Sequence, residues 1–316
     1  MSLLDRLFGK KPSAEQEGLA HGIQNPIDAS VTGIQRDEAY ADTSLIPQLS
    51  DYVAQMIVSM LRHSTDAPMI ELDASDTPPN VLDTKIGGEF YVPSGMRPPR
   101  NHETGKPLYL LAQLNFDELP HLPDFPEHGL LQFFIAGDDP LYGMNLDHPQ
   151  SQKKWRIRYI PTVPDTVPPT HVAHPSWRAD TDLPLPDKNY AMKLVPTLTA
   201  KVINTTDYRF DGALQRCLST MNDRDRDFYR THEGEILDTI NDMLAYGGHQ
   251  IGGYPLFTQW DPRPNGPWHG ADTLLLQIDS IDDVMFADSG VANFFIRPDQ
   301  LRRLDFSQVL FHWDCM

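Results

Sequence analysis

Four polar side chains occupy matching places in two apolar stretches of the chain. Gln113 and Asn115 belong to one leucine-rich run, and Gln277 and Asp279 belong to another. A polar side chain inside a buried strand must find hydrogen-bond partners, so two interpretations arise. The four groups could line a ligand groove between two halves of the protein. Alternatively, each could fix a neighbouring loop.

A second candidate site is the loop at residues 255–270, which is rich in Pro and Gly and surrounded by aromatic residues. Tyr254, Trp260 and Trp268 could form a recognition surface, because exposed aromatic side chains on loops are frequent contact points for partners. The alternative is a small aromatic core that holds the loop down. We take these three residues, with the four polar side chains, as the binding candidates.

No catalytic signature accompanies these candidates. GxSxG, P-loop and GxGxxG motifs are absent from the sequence. The acidic residues of 279–288 do not follow an EF-hand spacing, and the histidines have neither HxH nor HExxH spacing. We therefore predict no catalytic residues, no metal site and no cofactor, and we favour a protein that is not an enzyme.

The charge of the chain indicates its class of partner, and its cysteine content indicates the cellular compartment. The formal net charge is −18, from 26 basic and 44 acidic residues. Such a chain repels phosphate backbones, which argues against nucleic acid and favours a basic protein partner. We expect no membrane segment, since no apolar run reaches the roughly 18 residues that a spanning helix needs. The two cysteines lack CxxC spacing, which indicates a reducing cytoplasm. The oligomeric state is left open.

Hydrophobic periodicity and turn residues predict the elements that position the candidates. Residues 140–186 are rich in proline and are predicted to form a long surface loop with one strand. We predict helices at 46–61, 236–244 and 298–301, and strands at 108–114, 130–135, 155–160, 193–203 and 309–313. The first helix is expected to pack on a sheet.

Two blocks of sequence recur in the same order, which indicates an internal duplication. They are Ile86-Gly87-Gly88, Leu110–Asn115 and Gly129–Ile135, and then Ile251-Gly252-Gly253, Leu274–Asp279 and Gly290–Ile296. We predict a polar N-terminal arm at 1–43 and a single domain at 44–316. Its repeats, at about 44–160 and 222–316, are joined by the proline-rich segment.

The order and spacing of these motifs resemble the YwqG-like family of bacterial proteins, over roughly residues 45–316. The residues that carry the resemblance are Gly87-Gly88 with Pro93, Leu111–Asn115, Gly129–Phe134, His249–Pro255, Leu274–Ser280, Asp288–Gly290, Phe294–Ile296 and Asp305–Cys315. The resemblance implies an α+β fold with mainly antiparallel sheets and pseudo-twofold symmetry. It implies no established activity. The helices predicted at 46–61 and 236–244 place a helix before each repeat. Pro93 lies further along the chain from the first glycine pair than Pro255 lies from the second. The first turn is therefore expected to differ in shape.

These observations lead to two hypotheses from different classes. The first is a non-catalytic binding protein of the bacterial cytoplasm, in one version an immunity protein that neutralises a toxin. The alternative is an enzyme or small-ligand binder with its site in the groove between the repeats. The two hypotheses differ in whether Gln113, Asn115, Gln277 and Asp279 meet in an open pocket or are buried and hydrogen-bonded.

Overall fold

The structure is a computed structural model that describes residues 45–174 and 181–316. The polar arm predicted at 1–43 lies outside the described residues. The chain divides into two compact units. One is helical and combines the described residues up to Thr65 with 209–245, and the other contains the β-sheet and combines 66–208 with 246–316. Each unit takes segments from both predicted repeats.

Four helices form the helical unit: α1 Ile46–Thr65, α2 Phe210–Thr220, α3 Asp223–Thr231 and α4 Glu233–Leu244. Helix α1 buries one stripe that includes Leu49, Val53, Ile57 and Leu61, as its periodicity predicts. Within this unit, α1 packs against α2 and α4, and its packing on a sheet stays a prediction.

Twelve strands belong to the sheet unit. They are β1 Ala67–Ser75, β2 Lys85–Gly87, β3 Phe90–Tyr91, β4 Leu108–Asn115, β5 Leu130–Ala136, β6 Arg156–Ile160, β7 Val172–Ala173, β8 Ala191–Lys201, β9 Gln250–Gly252, β10 Thr273–Asp279, β11 Val291–Ile296 and β12 Leu310–Asp314. The five predicted strands are among them, as β4, β5, β6, β8 and β12, with bounds that differ by one or two residues. The short helix α5, Pro298–Arg302, lies between β11 and β12.

Ten of these strands form one antiparallel sheet in the order β12-β11-β10-β9-β1-β8-β2-β4-β5-β6, and β3 pairs with β7. The prediction of a mixed fold dominated by antiparallel strands is confirmed. The two ends of this sheet pack on each other. The ring of Phe294 on β11 lies 4.9 Å from that of Phe133 on β5 and 5.9 Å from that of Trp155. The sheet therefore curls around an aromatic core.

The glycines of both pairs have positive φ angles of similar size. Gly87 and Gly88 have φ of 67° and 76°, and Gly252 and Gly253 have φ of 71° and 66°. All four lie in the left-handed region that glycine tolerates best. A Cβ on Gly87 would stand 2.5 Å from the carbonyl oxygen of Tyr190, so this turn has no room for a side chain. The chain differs after the pairs, since the strand β3 follows Gly88 and no strand follows Gly253 at the matching place.

Candidate functional site

Gln113 and Asn115 on β4 are buried and contact the segment that leads into β2. The amide Nε2 of Gln113 donates to the carbonyl oxygens of Val81 and Asp83 at 3.0 and 2.9 Å. Its Oε1 accepts from Gln132 at 2.9 Å. The backbone N–H of Asn115 donates to the hydroxyl of Thr84 at 3.0 Å. This end of β4 thus fixes the loop before the first glycine pair.

Gln277 and Asp279 on β10 contact the segment that leads into β9. Gln277 accepts from the N–H of Leu256 at 2.7 Å and donates to the carbonyl of Gly248 at 2.8 Å. Asp279 accepts from the N–H of Gly248 at 2.7 Å. Its own N–H donates to Nδ1 of His249 at 3.1 Å. These contacts fix the second glycine turn and the start of the aromatic loop.

The four polar candidates are therefore placed in two separate groups. In the sheet order, β2, β8, β1 and β9 lie between β4 and β10. All four candidates are buried, and each has hydrogen-bond partners in the loops beside its own strand. This geometry favours the interpretation that they fix loops. The ligand groove remains a prediction.

The aromatic loop at 255–270 packs part of its length into the sheet. Trp268 is buried with Phe257 in an apolar cluster that also contains Leu274, Phe295 and Leu310. Tyr254 is half-buried, and its carbonyl accepts from Nε2 of Gln250 at 3.0 Å. One part of the loop is thus the small aromatic core that the sequence suggested as an alternative.

Trp260 differs from its neighbours in remaining exposed. Its fractional exposure is 59 %, the largest for any aromatic residue among the described exposed hydrophobic side chains. Tyr208 is also exposed, at 40 %, and its backbone N–H donates to Asp261, the residue after Trp260. The loop therefore exposes the indole of Trp260 on the protein surface, whereas its residues Trp268 and Phe257 are buried in the apolar cluster.

A buried charge cluster fixes the loop directly after Trp260. The side chain of Arg263 is fully buried. Its guanidinium contacts Asp207 at 2.7 Å and Asp261 at 2.6 Å. It also stacks on aromatic rings, 5.0 Å from the centroid of Phe295 and 5.1 Å from that of Tyr208. The cluster links residues that are far apart in sequence and gives the loop one conformation.

Asp314 on β12 fixes the loop before Trp260. Its Oδ2 accepts from the backbone N–H groups of Thr258 and Gln259 at 3.1 and 2.8 Å. Burial raises the pKa of Asp314, although the hydrogen bonds from Gln259 and Thr258 oppose that shift. Trp260 thus lies between two buried anchors, Asp314 on one side and Arg263 on the other.

The ring of His312 lies close to three aromatic side chains of the loop. Its ring lies 5.7 Å from that of Trp268, 5.8 Å from that of Phe257 and 6.5 Å from that of Trp260. Burial lowers the pKa of His312 to about 4, against the opposing charge of Asp261. The imidazole is therefore neutral at pH 7.

His312 and His249 should together make the protein acid-sensitive. Burial lowers the pKa of each to about 4 from 6.5. The unfolded chain binds these protons at higher pH, so stability is complete above pH 6.5 and falls as the pH drops towards 4. We expect a loss of roughly 3 kcal/mol per histidine across this window. Urea unfolding at several pH values measures it.

A His249→Gln variant provides the control for that pH dependence. It should lose less unfolding free energy than the wild type between pH 6.5 and pH 4. In the folded protein Asp83, Asp117 and Asp305 have lowered pKa values and titrate below this window, whereas the raised pKa of Asp314 offsets part of the loss. An unfolding free energy that stays constant from pH 7 to pH 4 would contradict the assignment.

Two further properties concern the described residues as a whole. Across 45–174 and 181–316, no group of three or more His, Cys, Asp or Glu side chains is arranged to hold a metal ion. In the same part of the chain, no helix combines the length and the apolar character required to cross a membrane.

Comparison with known proteins places the chain in a family. A family model described as a domain of unknown function, DUF1963, matches residues 84–315. The chain belongs to the DUF1963 family. The matched DUF1963 region begins just before β2 and ends after β12, so it includes both glycine turns, the aromatic loop and the buried charge cluster. No curated protein matches the chain.

Sequence reasoning missed the residues that hold the DUF1963 aromatic loop in place. Arg263 and Asp207 are 56 residues apart, and no local pattern pairs them. The sequence offers one signal, which is the position of Arg263 between two prolines, directly after Asp261-Pro262. Proline restricts the backbone, so this charged residue lies in a rigid segment. His312 and Asp314 alternate on a strand that was predicted, but their burial was not.

Proposed function

We propose that this protein is a non-catalytic interaction protein whose binding surface is the 255–270 loop centred on Trp260. The observation that carries the proposal is an indole 59 % exposed on a loop that buried contacts fix on both sides. A rigid, exposed tryptophan loses little conformational entropy on binding. Tryptophan is also enriched among the residues that dominate binding energy.

The partner is a basic protein. Beneath the loop, Asp207 and Asp261 both contact the guanidinium of Arg263. The whole chain carries −18, which favours encounter with a positively charged surface. A Lys or Arg side chain of the partner would stack on the indole of Trp260. One concrete version is an immunity protein that neutralises a basic bacterial toxin.

The proposed setting is the bacterial cytoplasm, with neither nucleic acid nor membrane as partner. Cys217 and Cys315 are both buried and neither forms a disulfide, which supports a reducing compartment. The charge of −18 supports the exclusion of nucleic acid.

We also propose that the chain belongs to the YwqG-like family. We further infer an internal duplication with a pseudo-twofold axis. The sheet order supports this inference, because β2-β4-β5-β6 on one side corresponds to β9-β10-β11-β12 on the other, with β8 and β1 between them. A register shift occurs at corresponding places, between Leu110 and Ala112 on β4 and between Leu274 and Leu276 on β10.

Equivalent hydrogen bonds add further support. Gln132 donates to the carbonyl of Tyr91 at 3.0 Å, and Asn293 donates to that of Leu256 at 2.9 Å. The contacts of Asn115 with Thr84 and of Asp279 with His249 correspond in the same way. The aromatic loop departs from this symmetry, since Gly95 occupies the place of Trp260 when the two glycine pairs are aligned. We therefore place the interaction in the second repeat alone.

Photo-crosslinking at position 260 tests the proposed surface. A photoreactive phenylalanine replaces Trp260 in one variant and Met96, which is 54 % exposed on another loop, in a control variant. In irradiated cells we expect a discrete adduct with one basic protein from position 260 and none from position 96. The same adducts from both positions, or none from position 260, would refute the proposal.

A further inference from the structure

The edge strand β6 carries two arginines on one face. Arg156 and Arg158 are two residues apart, so their side chains leave the strand on the same side. Arg158 Nη2 donates to the carbonyl of Arg97 at 2.8 Å, and Arg156 Nη2 donates to Nε2 of His102 at 2.9 Å. Within the described residues, neither guanidinium has a carboxylate partner.

The acidic side chains of the same region are already paired with lysines. Lys154 contacts Asp139 at 3.1 Å and Glu103 at 3.4 Å. Lys106 contacts Asp138 at 3.5 Å. In a chain of net charge −18, these pairings leave the two arginines as a local excess of positive charge.

The two guanidinium groups are partly withdrawn from water and repel each other. Burial lowers the pKa of Arg158, and the charge of Arg156 lowers it further. Burial also lowers the pKa of Arg156. The guanidinium of Arg158 lies 5.9 Å from the centroid of the Phe134 ring, which limits its freedom to turn away. A bound anion would relieve this repulsion and satisfy both groups.

A buried donor and a buried acceptor near the arginines lack partners. Gln132 is fully buried and lies directly opposite Arg158 across the β5–β6 pair. Its Nε2 donates to Gln113 and Tyr91. Its Oε1, like Nη1 of Arg158, has no hydrogen-bond partner among the described residues. Buried polar groups are nearly always hydrogen-bonded, so this pair points to a ligand that both accepts and donates.

We propose that Arg156 and Arg158 on β6 form a binding site for a small molecule that carries a phosphate group. The phosphate oxygens accept from the two guanidinium groups, in the planar geometry that favours arginine at phosphate sites. A P–OH group of the singly protonated phosphate donates to Oε1 of Gln132. A polyanion such as nucleic acid is disfavoured by the overall charge of −18, which leaves a small ligand.

Titration with inorganic phosphate at pH 6 and constant ionic strength tests this site on the full-length protein. Calorimetry should give saturable binding at one site, and Arg158→Gln should weaken it about tenfold or more. Arg156→Gln should weaken it similarly, which guards against a folding defect confined to one variant. Arg302→Gln is the matched control, because Arg302 is exposed and pairs with Asp124, and neither residue belongs to β6. Thermal melts establish that each variant is folded.

Acetate at the same ionic strength distinguishes phosphate from a carboxylate. We expect acetate to compete weakly, since it offers two oxygens and no hydroxyl donor. The proposal is overturned if the wild type shows no saturable phosphate binding, or if Arg302→Gln weakens binding as much as Arg158→Gln. Acetate binding as tight as that of phosphate would overturn the phosphate assignment.

Discussion

Replacing Arg263 with alanine should lower the free energy of unfolding by about 3–5 kcal/mol, because it removes the buried guanidinium that two buried carboxylates contact. Arg263 Nη2 contacts Asp207 at 2.7 Å and Asp261 at 2.6 Å, and the three side chains are at most 4 % exposed. Stacking on Tyr208 and Phe295 is lost as well. Chemical denaturation of wild type and variant measures the difference.

Two further variants separate buried charge from lost packing. Arg302→Ala removes an exposed pair with Asp124 and should change stability by no more than about 0.5 kcal/mol. A triple variant, Arg263→Met with Asp207→Asn and Asp261→Asn, removes these three charges together and should recover much of the loss. The cluster does not fix the loop as described if Arg263→Ala costs less than about 1 kcal/mol.

Replacing Phe294 with alanine should destabilise the protein by a similar amount, about 3–5 kcal/mol, because the ring joins the two ends of the curled sheet. It stacks on Phe311 at 4.6 Å and contacts Phe133 at 4.9 Å and Trp155 at 5.9 Å. Its removal leaves a cavity bounded by these three rings. Denaturant unfolding followed by tryptophan fluorescence reports both the loss and any change in cooperativity.

The matched control is an aromatic residue outside the core. Trp260→Ala should leave the unfolding free energy within about 0.5 kcal/mol of the wild type, since the indole is 59 % exposed. Phe294→Leu keeps most of the volume and should cost less than Phe294→Ala. Equal losses for Phe294→Ala and Trp260→Ala would contradict the account of the core.

Elements with strong periodicity could be predicted from the sequence. The apolar stripe of α1 and the fully buried strands β4 and β5 are recognisable without a structure. Strand β1 was missed, although it pairs with β8 along its whole length at the centre of the sheet. Its Glu71 and Asp73 are exposed, so it lacks the continuous apolar run of β4 and β5.

Helix α3 was missed for a different reason. Its alternating charges resemble a solvated loop, and its start depends on one cap, in which Asn222 accepts from the N–H of Asp225 at 2.9 Å. The polar residues at the strand ends were identified from sequence, but their partners were not. Gln113 and Val81 are 32 residues apart, and only the fold brings them together.

For the two tryptophan candidates, the sequence predicted the loop but not which side chain is exposed. The sequence pointed to Trp260 and Trp268 as equals, because spacing in a loop does not show which side chain turns inward. Trp268 enters the cluster of Phe257 and Phe295, whereas Trp260 stays outside. Long-range contacts to Asp207 and Asp314 make this difference, and such contacts are not encoded in local patterns.

The most direct test of the proposed function is the affinity of the crosslinked partner, once purified, for three forms of the protein. We expect Trp260→Ala to weaken binding by about thirtyfold, the effect of losing a central tryptophan contact of roughly 2 kcal/mol. Met96→Ala should bind like the wild type, because Met96 is exposed on a different loop. Equal affinity of wild type and Trp260→Ala would contradict the claim that this loop is the binding surface.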